Sequence, residues 1–315
     1  PHGICPSPDS LSPAETGGAR RMRAARRNSE IGPETRPGAA RPGHRAGPRR
    51  VLAALKLYWI LASASVRAAM QYKFDFVTSS IIQAVTGAID YYFVAVILWK
   101  FKTIAGWDIY EVGLLFAVSK IGIGIYRVFS EELEQFERYM VTGDFDSVLV
   151  RPWPSLLVVL SRRVDLSRLS LALQGMGVAA VCVPQLLRSG KLTWGDIGFL
   201  ALACACSAVL FFVVGLAAAS AAFWITRIDE LQVFTQNAPA TATLHPLEIY
   251  PGWLRVVLLT ALPFGVGNYV PVRYLLGKGG TWMNLVWPLI ACAVGLTVSL
   301  KLWHAGEAAY QSTGS

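Results

Sequence analysis

The side chains best able to do chemistry, histidine and cysteine, are too scattered in this sequence to form a metal site or an acid–base pair. The histidines are His2, His44, His245 and His304, and the cysteines are Cys5, Cys182, Cys204, Cys206 and Cys292. The cysteines contain no C-x-x-C pair, and all but the first lie in apolar stretches, which favours small packing residues over metal ligands or disulfides. Gly277-Lys278-Gly279 lacks the upstream glycine and the hydroxyl residue of a phosphate-binding loop. We therefore expect no catalytic centre and no cofactor on this chain.

Two ions lie in the middle of long apolar stretches, Asp90 within residues 77–99 and Lys120 within residues 109–129. A charge at the centre of a membrane helix costs about 2.5 to 3.5 kcal/mol on insertion scales. Each ion should therefore face the interior of a helix bundle rather than lipid. Both lie at similar depth on neighbouring antiparallel segments, so we predict an Asp90–Lys120 ion pair inside the bundle.

A cluster of charged residues lies between apolar stretches at residues 131–152, EELEQFERYMVTGDFDSVLVRP. The pattern predicts a helix that ends near Gly143, a short turn over residues 144–150, and a stop at Arg151-Pro152. We expect the whole segment to lie in water on one face of a membrane, where a partner can reach it. An ordinary solvated loop is the alternative interpretation.

The composition of the chain indicates a membrane protein. Of 315 residues, 54% are apolar and 16% are charged, and the mean hydropathy is +0.44. Soluble domains carry about 25% charged residues, and the apolar stretches here reach the length that crosses about 30 Å of hydrocarbon. The sequence therefore predicts an all-α, polytopic membrane protein that consists of a membrane domain over residues 51–315.

The net charge of +9 comes mainly from residues 1–50, which hold ten arginines and are rich in proline and glycine. Such a segment cannot bury enough apolar surface to fold. We predict a disordered basic tail that keeps the N-terminus in the cytoplasm, and no nucleic-acid partner.

Five stretches have the length and composition of membrane spans, and a sixth crossing comes from the region before the last of them. They are residues 77–99, 109–129, 169–187, 197–226 and 282–303. Ahead of them, residues 51–74 carry Lys56, Ser63, Arg67 and Gln71 on one helical face, which predicts a helix in the membrane interface. The alternative is that this helix begins a long first span.

Residues 229–280 allow two solutions, because Pro263, Asn268 and Pro271 interrupt their apolar pattern. Either residues 230–247 form a short fifth span and residues 253–276 a pair of half-helices dipping in from outside, or residues 253–276 form one kinked fifth span. Both solutions give six crossings. Lysine and arginine counts in the loops predict that residues 131–152 and both termini lie in the cytoplasm.

Several short motifs resemble the bacterial ATP-binding-cassette (ABC) export permeases of the ABC-2 type. The first is Gly143-Asp144-Phe145-Asp146 followed by Leu149 and Arg151-Pro152. Further matches are Phe223-Trp224, the run from Pro246 to Arg255, Pro263-Phe264, Asn268-Tyr269-Val270-Pro271, Leu276-Gly277 and the ending Tyr310 to Gly314. The resemblance covers about residues 52–315.

This resemblance implies a non-catalytic permease half with six spans, in the inner membrane of a bacterium. It would pair with a second, identical or paralogous half and with two copies of a cytosolic ATPase, which would bind ATP and Mg²⁺. Residues 51–74 would be an elbow helix, and the segment between spans two and three a coupling helix. Its transmitting residues would be Glu131, Glu134, Phe136, Arg138, Gly143, Asp146, Arg151 and Pro152.

The resemblance also favours re-entrant helices before the last span, with Pro246, Tyr250, Pro251, Pro263, Tyr269 and Pro271 as their characteristic residues. The exported substrate would be amphipathic, either drug-like or lipid-like. An ATPase-independent secondary transporter or channel is the alternative function.

Overall fold

The computed structural model describes residues 105–225 and 241–311, together with residues 63, 67, 77, 78, 81, 82, 85–89, 92, 96, 103, 230 and 237. These residues form helices and no strands. Within them, four helices are long and apolar enough to cross a membrane, and a fifth candidate is a pair of helices bent by 71°. The all-α membrane fold is therefore confirmed.

We number the helices whose bounds the structure gives from α1 to α10. They are α1 Ile109–Glu134, α2 Phe136–Thr142, α3 Phe145–Leu149, α4 Ser155–Arg162, α5 Leu169–Arg188, α6 Asp196–Ala221, α7 Gly252–Leu259, α8 Phe264–Gly267, α9 Tyr269–Leu275 and α10 Met283–Ala309. Short 3₁₀ turns at Leu166–Arg168 and Leu247–Ile249 precede α5 and α7. The long helices α1, α5, α6 and α10 form the bundle.

The long helix α1 begins and ends for reasons that are visible in its sequence. Asp108 caps it by accepting a hydrogen bond from the Ile109 amide at 2.7 Å, and the Glu111 carboxylate accepts one from the Asp108 amide at 2.7 Å. The helix continues to Glu134, five residues past the predicted end of the span at Phe129. Its ladder breaks at Ser130, whose φ of −127° and ψ of 18° are not helical.

Glycines let α5 approach α1 closely. A side chain on Gly124 would lie 2.5 Å from the backbone nitrogen of Ala172, and one on Gly175 would lie 2.8 Å from the carbonyl oxygen of Ala117. Helices in lipid gain little from apolar burial against each other, so their contacts depend on such close packing. The two glycines therefore fix the α1–α5 interface.

The last helix, α10, packs mainly on α6. A side chain on Gly295 would lie 2.8 Å from Val213, and the Cys292 thiol lies 3.5 Å from the carbonyl oxygen of Cys206. The predicted fourth span reached Thr226, but α6 ends at Ala221 and Phe223-Trp224 turn away from the helix. That turn places the Phe223 ring beside α10, as described below.

Buried clusters mark the two ends of the bundle. We call the end formed by residues 105–108, 188–196 and 276–280 the loop end; its core contains Trp107, Leu192 and Leu276. We call the end formed by residues 131–168 the segment end; its core contains Phe136, Phe145 and Trp303. The helices α1 and α6 run from the loop end to the segment end, and α5 runs back.

The bent pair enters and leaves at the loop end. Leu258, on its first arm, and Leu247, in the 3₁₀ turn before that arm, share the loop-end core with Val272 and Leu275, on its second arm. Phe264, just after its turn, packs on Phe211 at 4.5 Å between ring centroids, about halfway along α6. This geometry favours two half-helices that dip into the bundle, as in the first of the two solutions for residues 229–280, and we call α7–α9 the re-entrant pair.

Several sequence predictions lie outside the described residues. They are the tail over residues 1–50, most of the interfacial helix and of the first span, Asp90, and most of residues 226–240. Ser63 and Arg67 are helical, and Arg67 donates to the Ser63 carbonyl oxygen at 3.2 Å. Gly87 lies against Gln174 of α5, so a residue of the predicted first span contacts the bundle.

Candidate functional site

Residues 136–162 fold into a compact unit of three short helices at the segment end. Helix α2 stops at Thr142 because Gly143 takes a left-handed φ of 73°, which glycine adopts without strain. The Thr142 hydroxyl donates to the Asp144 carboxylate at 2.8 Å, and the Ser147 hydroxyl donates to the Asp144 carbonyl at 2.7 Å. These bonds hold α2 and α3 at a fixed angle, so the segment is a folded element rather than an ordinary loop.

The side of this unit that faces the bundle is aromatic. Phe136 packs on Trp303 at 4.8 Å and on Phe223 at 5.3 Å between ring centroids. Phe145 packs edge-on against Phe223 at 5.3 Å and Tyr310 at 5.0 Å. Phe136, Phe145 and Trp303 are completely buried. The short helices are therefore fixed to the end of α6 and to α10.

The first turn of the segment is also buried, which corrects the prediction that all of residues 131–152 face water. Glu131 and Glu132 are each only 5% exposed. Glu131 pairs with Arg168 at 3.4 Å, and Glu132 accepts a short hydrogen bond from the Tyr139 hydroxyl and pairs with Arg138 at 3.6 Å. Buried carboxylates need such partners, because an unpaired charge in the interior is very costly.

The next carboxylate, Glu134, connects the segment to the preceding part of α1. Arg127 donates to Glu134 at 3.2 Å and to the Asn237 side chain at 2.6 Å. Arg127 and Glu134 lie on either side of the break at Ser130. This ion pair therefore bridges the break and ties it to residue 237.

The outer side of the unit exposes apolar side chains. Val150 is 86% exposed and Val141 60% exposed, and Trp153 is also partly open to solvent. Beside Val141 lies a depression of about 330 Å³ whose lining is Gln135, Glu137, Arg138, Val141 and Thr142. Apolar groups exposed beyond the bundle are typical of a surface that binds a partner.

The eight residues predicted to transmit force therefore occupy three different environments. Arg138, Arg151 and Pro152 are exposed, Glu134, Gly143 and Asp146 are half-buried, and Glu131 and Phe136 are buried. The buried pair cannot touch an outside partner directly. Periodicity could have shown this for Phe136, since Phe136, Tyr139 and Met140 recur at helical spacing on the buried face.

The loop end carries a second charged group that sequence reasoning missed. Glu111 is 2% exposed and pairs with Lys191 and Lys278, each at 2.9 Å. Gly190, at φ 71°, ends α5 and turns Lys191 toward Glu111. The hydrogen bond to Glu111 raises the pKa of Lys191. Nothing in the linear spacing of these three residues signals their meeting.

The re-entrant pair has a polar core at the loop end. Arg255 donates to the carbonyl oxygens of Leu247 at 3.2 Å and Glu248 at 3.3 Å, while Glu248 accepts a short bond from the Tyr269 hydroxyl. The predicted residues divide between its parts: Pro246, Tyr250 and Pro251 lie before its first helix, Pro263 at its turn, and Tyr269 and Pro271 in α9.

The break between α8 and α9 is held by a buried amide that the sequence did not single out for this role. The Asn268 side chain donates to the Ser119 hydroxyl at 2.6 Å and accepts from the Tyr269 amide at 2.6 Å. Ser119 in turn donates to the Thr243 carbonyl at 3.0 Å. Three parts of the chain therefore meet in the middle of α1.

The predicted Asp90–Lys120 pair stays a prediction, because Asp90 lies outside the described residues. Lys120 is half-buried, and its ammonium group lies 5.3 Å from the centroid of the Phe116 ring. No group of three or more metal-ligating side chains comes together within the described part of the chain.

Several apolar helices of membrane-spanning length define a polytopic membrane protein. A family model described as "ABC-2 family transporter protein" matches residues 84–314. The chain belongs to this family, whose members are membrane permeases of ABC transporters and work with an ABC ATPase subunit. Searches of curated proteins and of solved structures find no match.

Proposed function

We propose that this chain is the permease subunit of an ABC exporter in a bacterial inner membrane. It moves an amphipathic, drug-like or lipid-like substrate out of the cytoplasm. Two copies of a separate cytosolic ATPase bind ATP and Mg²⁺, and a second permease half completes the pathway. This chain itself has no catalytic role.

The observation that carries this proposal is the outer face of residues 136–162. Val141, Val150 and Trp153 expose apolar surface beyond the end of the bundle, next to the charged Arg138 and Arg151. A cleft with an apolar floor and acidic walls on the ATPase would complement such a surface. The segment would then receive the movement that accompanies ATP binding.

The arrangement of the helices supports six crossings with both termini in the cytoplasm. Phe223 lies at the segment end and Leu247 at the loop end. Between these two positions in the chain, Asn237 contacts Arg127 and Thr243 contacts Ser119, both on α1, which supports a further crossing antiparallel to α1. With the predicted first span, the total is six, and the excess of arginine at the segment end favours its cytoplasmic placement.

The test is co-purification of the ATPase with the permease from native membranes. Replacing both Val150 and Trp153 with alanine removes exposed apolar contacts without touching the buried core, so the amount of bound ATPase should fall several-fold. Trp194→Ala is the control, because Trp194 is also an exposed tryptophan but lies at the loop end.

A second double variant, Asp146→Ala with Arg151→Ala, tests the polar part of the same surface and should weaken association or uncouple ATP hydrolysis from transport. Unchanged ATPase association and unchanged transport in both double variants would remove the coupling assignment. A bundle that transports without any ATPase would instead favour a secondary transporter or channel.

A further inference from the structure

We propose that five aromatic residues carry the movement of the coupling segment to α6 and α10, so that these three parts move as one rigid unit. The residues, which we call the aromatic cluster, are Phe136, Phe145, Phe223, Trp303 and Tyr310. This proposal rests on the coupling role proposed above. It assigns positioning roles to these residues, of which Phe136, Phe145 and Trp303 are completely buried and cannot touch a partner.

The aromatic cluster connects parts of the chain that are far apart in sequence. Trp303, on α10, lies 4.8 Å from Phe136, 5.3 Å from Phe223 and 6.3 Å from Phe145, measured between ring centroids. Trp303 also donates a hydrogen bond from Nε1 to the Ser155 hydroxyl at 3.0 Å, which attaches α4. Trp303 is therefore the central residue, with contacts to α2, α3, α4 and the end of α6.

The cluster is packed tightly enough to transmit a displacement. Phe136, Phe145 and Trp303 have no solvent exposure. Gly306, one turn after Trp303, lies directly against the Phe223 ring, and any side chain there would collide with that ring. Because close-packed interiors are nearly incompressible, a shift of α2 and α3 must shift Phe223 and Trp303 with them.

The backbone connection between α1 and α2 should be less rigid than the packing of the aromatic cluster. Two residues near the junction of α1 and α2 leave helical geometry: Ser130, inside α1, at φ −127°, and Gln135, between the two helices, at φ −111°. A helix bends at a position where its hydrogen-bond ladder is interrupted. A push on the segment should therefore bend the chain at Ser130, while α6 and α10 follow the segment through the aromatic cluster.

Tyr310 extends the cluster beyond the end of α10. Its ring lies edge-on to Phe145 at 5.0 Å and to Phe223 at 6.3 Å. Burial and the nearby carboxylate of Asp146 raise the pKa of Tyr310. The chain after α10 thus lies against α3, which gives the last helix a second attachment to the segment.

Two distances within one chain test the proposal. Spin labels at Ser147 on α3 and His304 on α10 report on the rigid unit, and labels at Ser147 and Ile125 report across the Ser130 break. All these positions are exposed, and the native cysteines are replaced first. Pulsed electron paramagnetic resonance is recorded on the complex with its co-purified ATPase, without nucleotide and with ATP plus vanadate.

We expect the Ser147–His304 distance to stay the same in both states and the Ser147–Ile125 distance to change. A Ser147–His304 change as large as the Ser147–Ile125 change, or larger, overturns the proposal. No change in either distance also overturns it, because the segment would then not move relative to α1. These two distances test the proposal while all five residues of the aromatic cluster are unchanged.

A variant pair adds a second readout. Trp303→Ala should keep the ATPase bound, because the exposed surface is intact, but should broaden the Ser147–His304 distance distribution and lower transport-coupled ATP hydrolysis several-fold. Trp287→Ala removes an exposed tryptophan from the same helix and should change neither property. A distribution that stays narrow in Trp303→Ala contradicts the cluster. Absence of any ATPase from the purified complex would instead overturn the proposed function.

Discussion

In the part of the chain that the structure describes, each buried charged side chain meets a partner of opposite charge. Glu111, Glu131 and Glu132 lie at the ends of α1, and each contacts a lysine or an arginine from another part of the chain or from the following turn. Such pairs are costly to form in the interior, and breaking one leaves an unpaired charge. The ends of α1 are thus the places where single substitutions should have the largest electrostatic effect.

Removing the charge of Glu111 should weaken its contacts with both Lys191 and Lys278. We expect Glu111→Gln to lower the free energy of unfolding by about 2 kcal/mol, because Lys191 and Lys278 lose a charged hydrogen-bond acceptor. Thermal unfolding in detergent measures the effect, with Glu230→Gln, an exposed position, as control. Equal stability of both variants would show that the pairs at Glu111 contribute nothing.

The buried amide at the break in the re-entrant pair is a second single-residue test. Asn268→Ala should destabilise the protein by about 1 to 3 kcal/mol, because the Ser119 hydroxyl and the Tyr269 amide lose a partner. Ser119→Ala and the double variant complete a mutant cycle, in which we expect a clear interaction energy since the two side chains touch. Strictly additive effects would argue against a direct hydrogen bond between them.

At the scale of elements, helix spacing depends on small residues rather than on apolar area. The glycines of α1 and α5 face backbone atoms of the opposite helix, so the two axes approach more closely than larger residues allow. The same helix α5 offers a glycine without this role. Gly177 meets no atom within 4 Å.

This pair of glycines on α5 gives a matched prediction. Gly175→Ala should cost about 1 to 3 kcal/mol by overpacking against Ala117 and Ile121. Gly177→Ala should be neutral or add up to about 1 kcal/mol through its higher helix propensity. Thermal unfolding of the two purified variants compares them, and a larger loss for Gly177→Ala would contradict the α1–α5 interface.

At the scale of the whole molecule, the two ends of the bundle differ in structure. The loop end joins α1, the turn after α5 and the turn before α10 through Glu111, and it also holds the re-entrant pair. The segment end exposes apolar side chains around a folded unit. The proposed coupling role would account for this asymmetry, because a permease driven from one side needs one cohesive end and one end that binds a partner.

The orientation of the molecule can be measured directly. In a chain without native cysteines, we expect Trp194→Cys to react with a membrane-impermeant maleimide in right-side-out vesicles, because the proposed orientation places the loop end outside. Trp153→Cys should react only after the membrane is permeabilised. The opposite labelling pattern would place the segment end outside, where a cytosolic ATPase could not reach it.

The sequence alone determined the membrane, the long helices and the position of the segment between them. Span length and charge distribution are local properties of the sequence. Gly143 and Pro152 predict helix ends through their own backbone geometry, which does not depend on tertiary contacts. Phe136 and Glu131 were misplaced as accessible residues because a charged stretch was expected to be solvated throughout. Periodicity within that stretch separated its buried face from its exposed one.

The tertiary structure alone decided which distant residues meet. The contacts of Trp303 with Phe136, of Glu111 with Lys278, and of Asn268 with Ser119 join parts of the chain more than a hundred residues apart. No local spacing encodes them, because in a bundle the rotation and depth of each helix are set by how its small residues and rings fit the neighbouring helices. The packing therefore determines which helices would move with a displacement of the coupling segment.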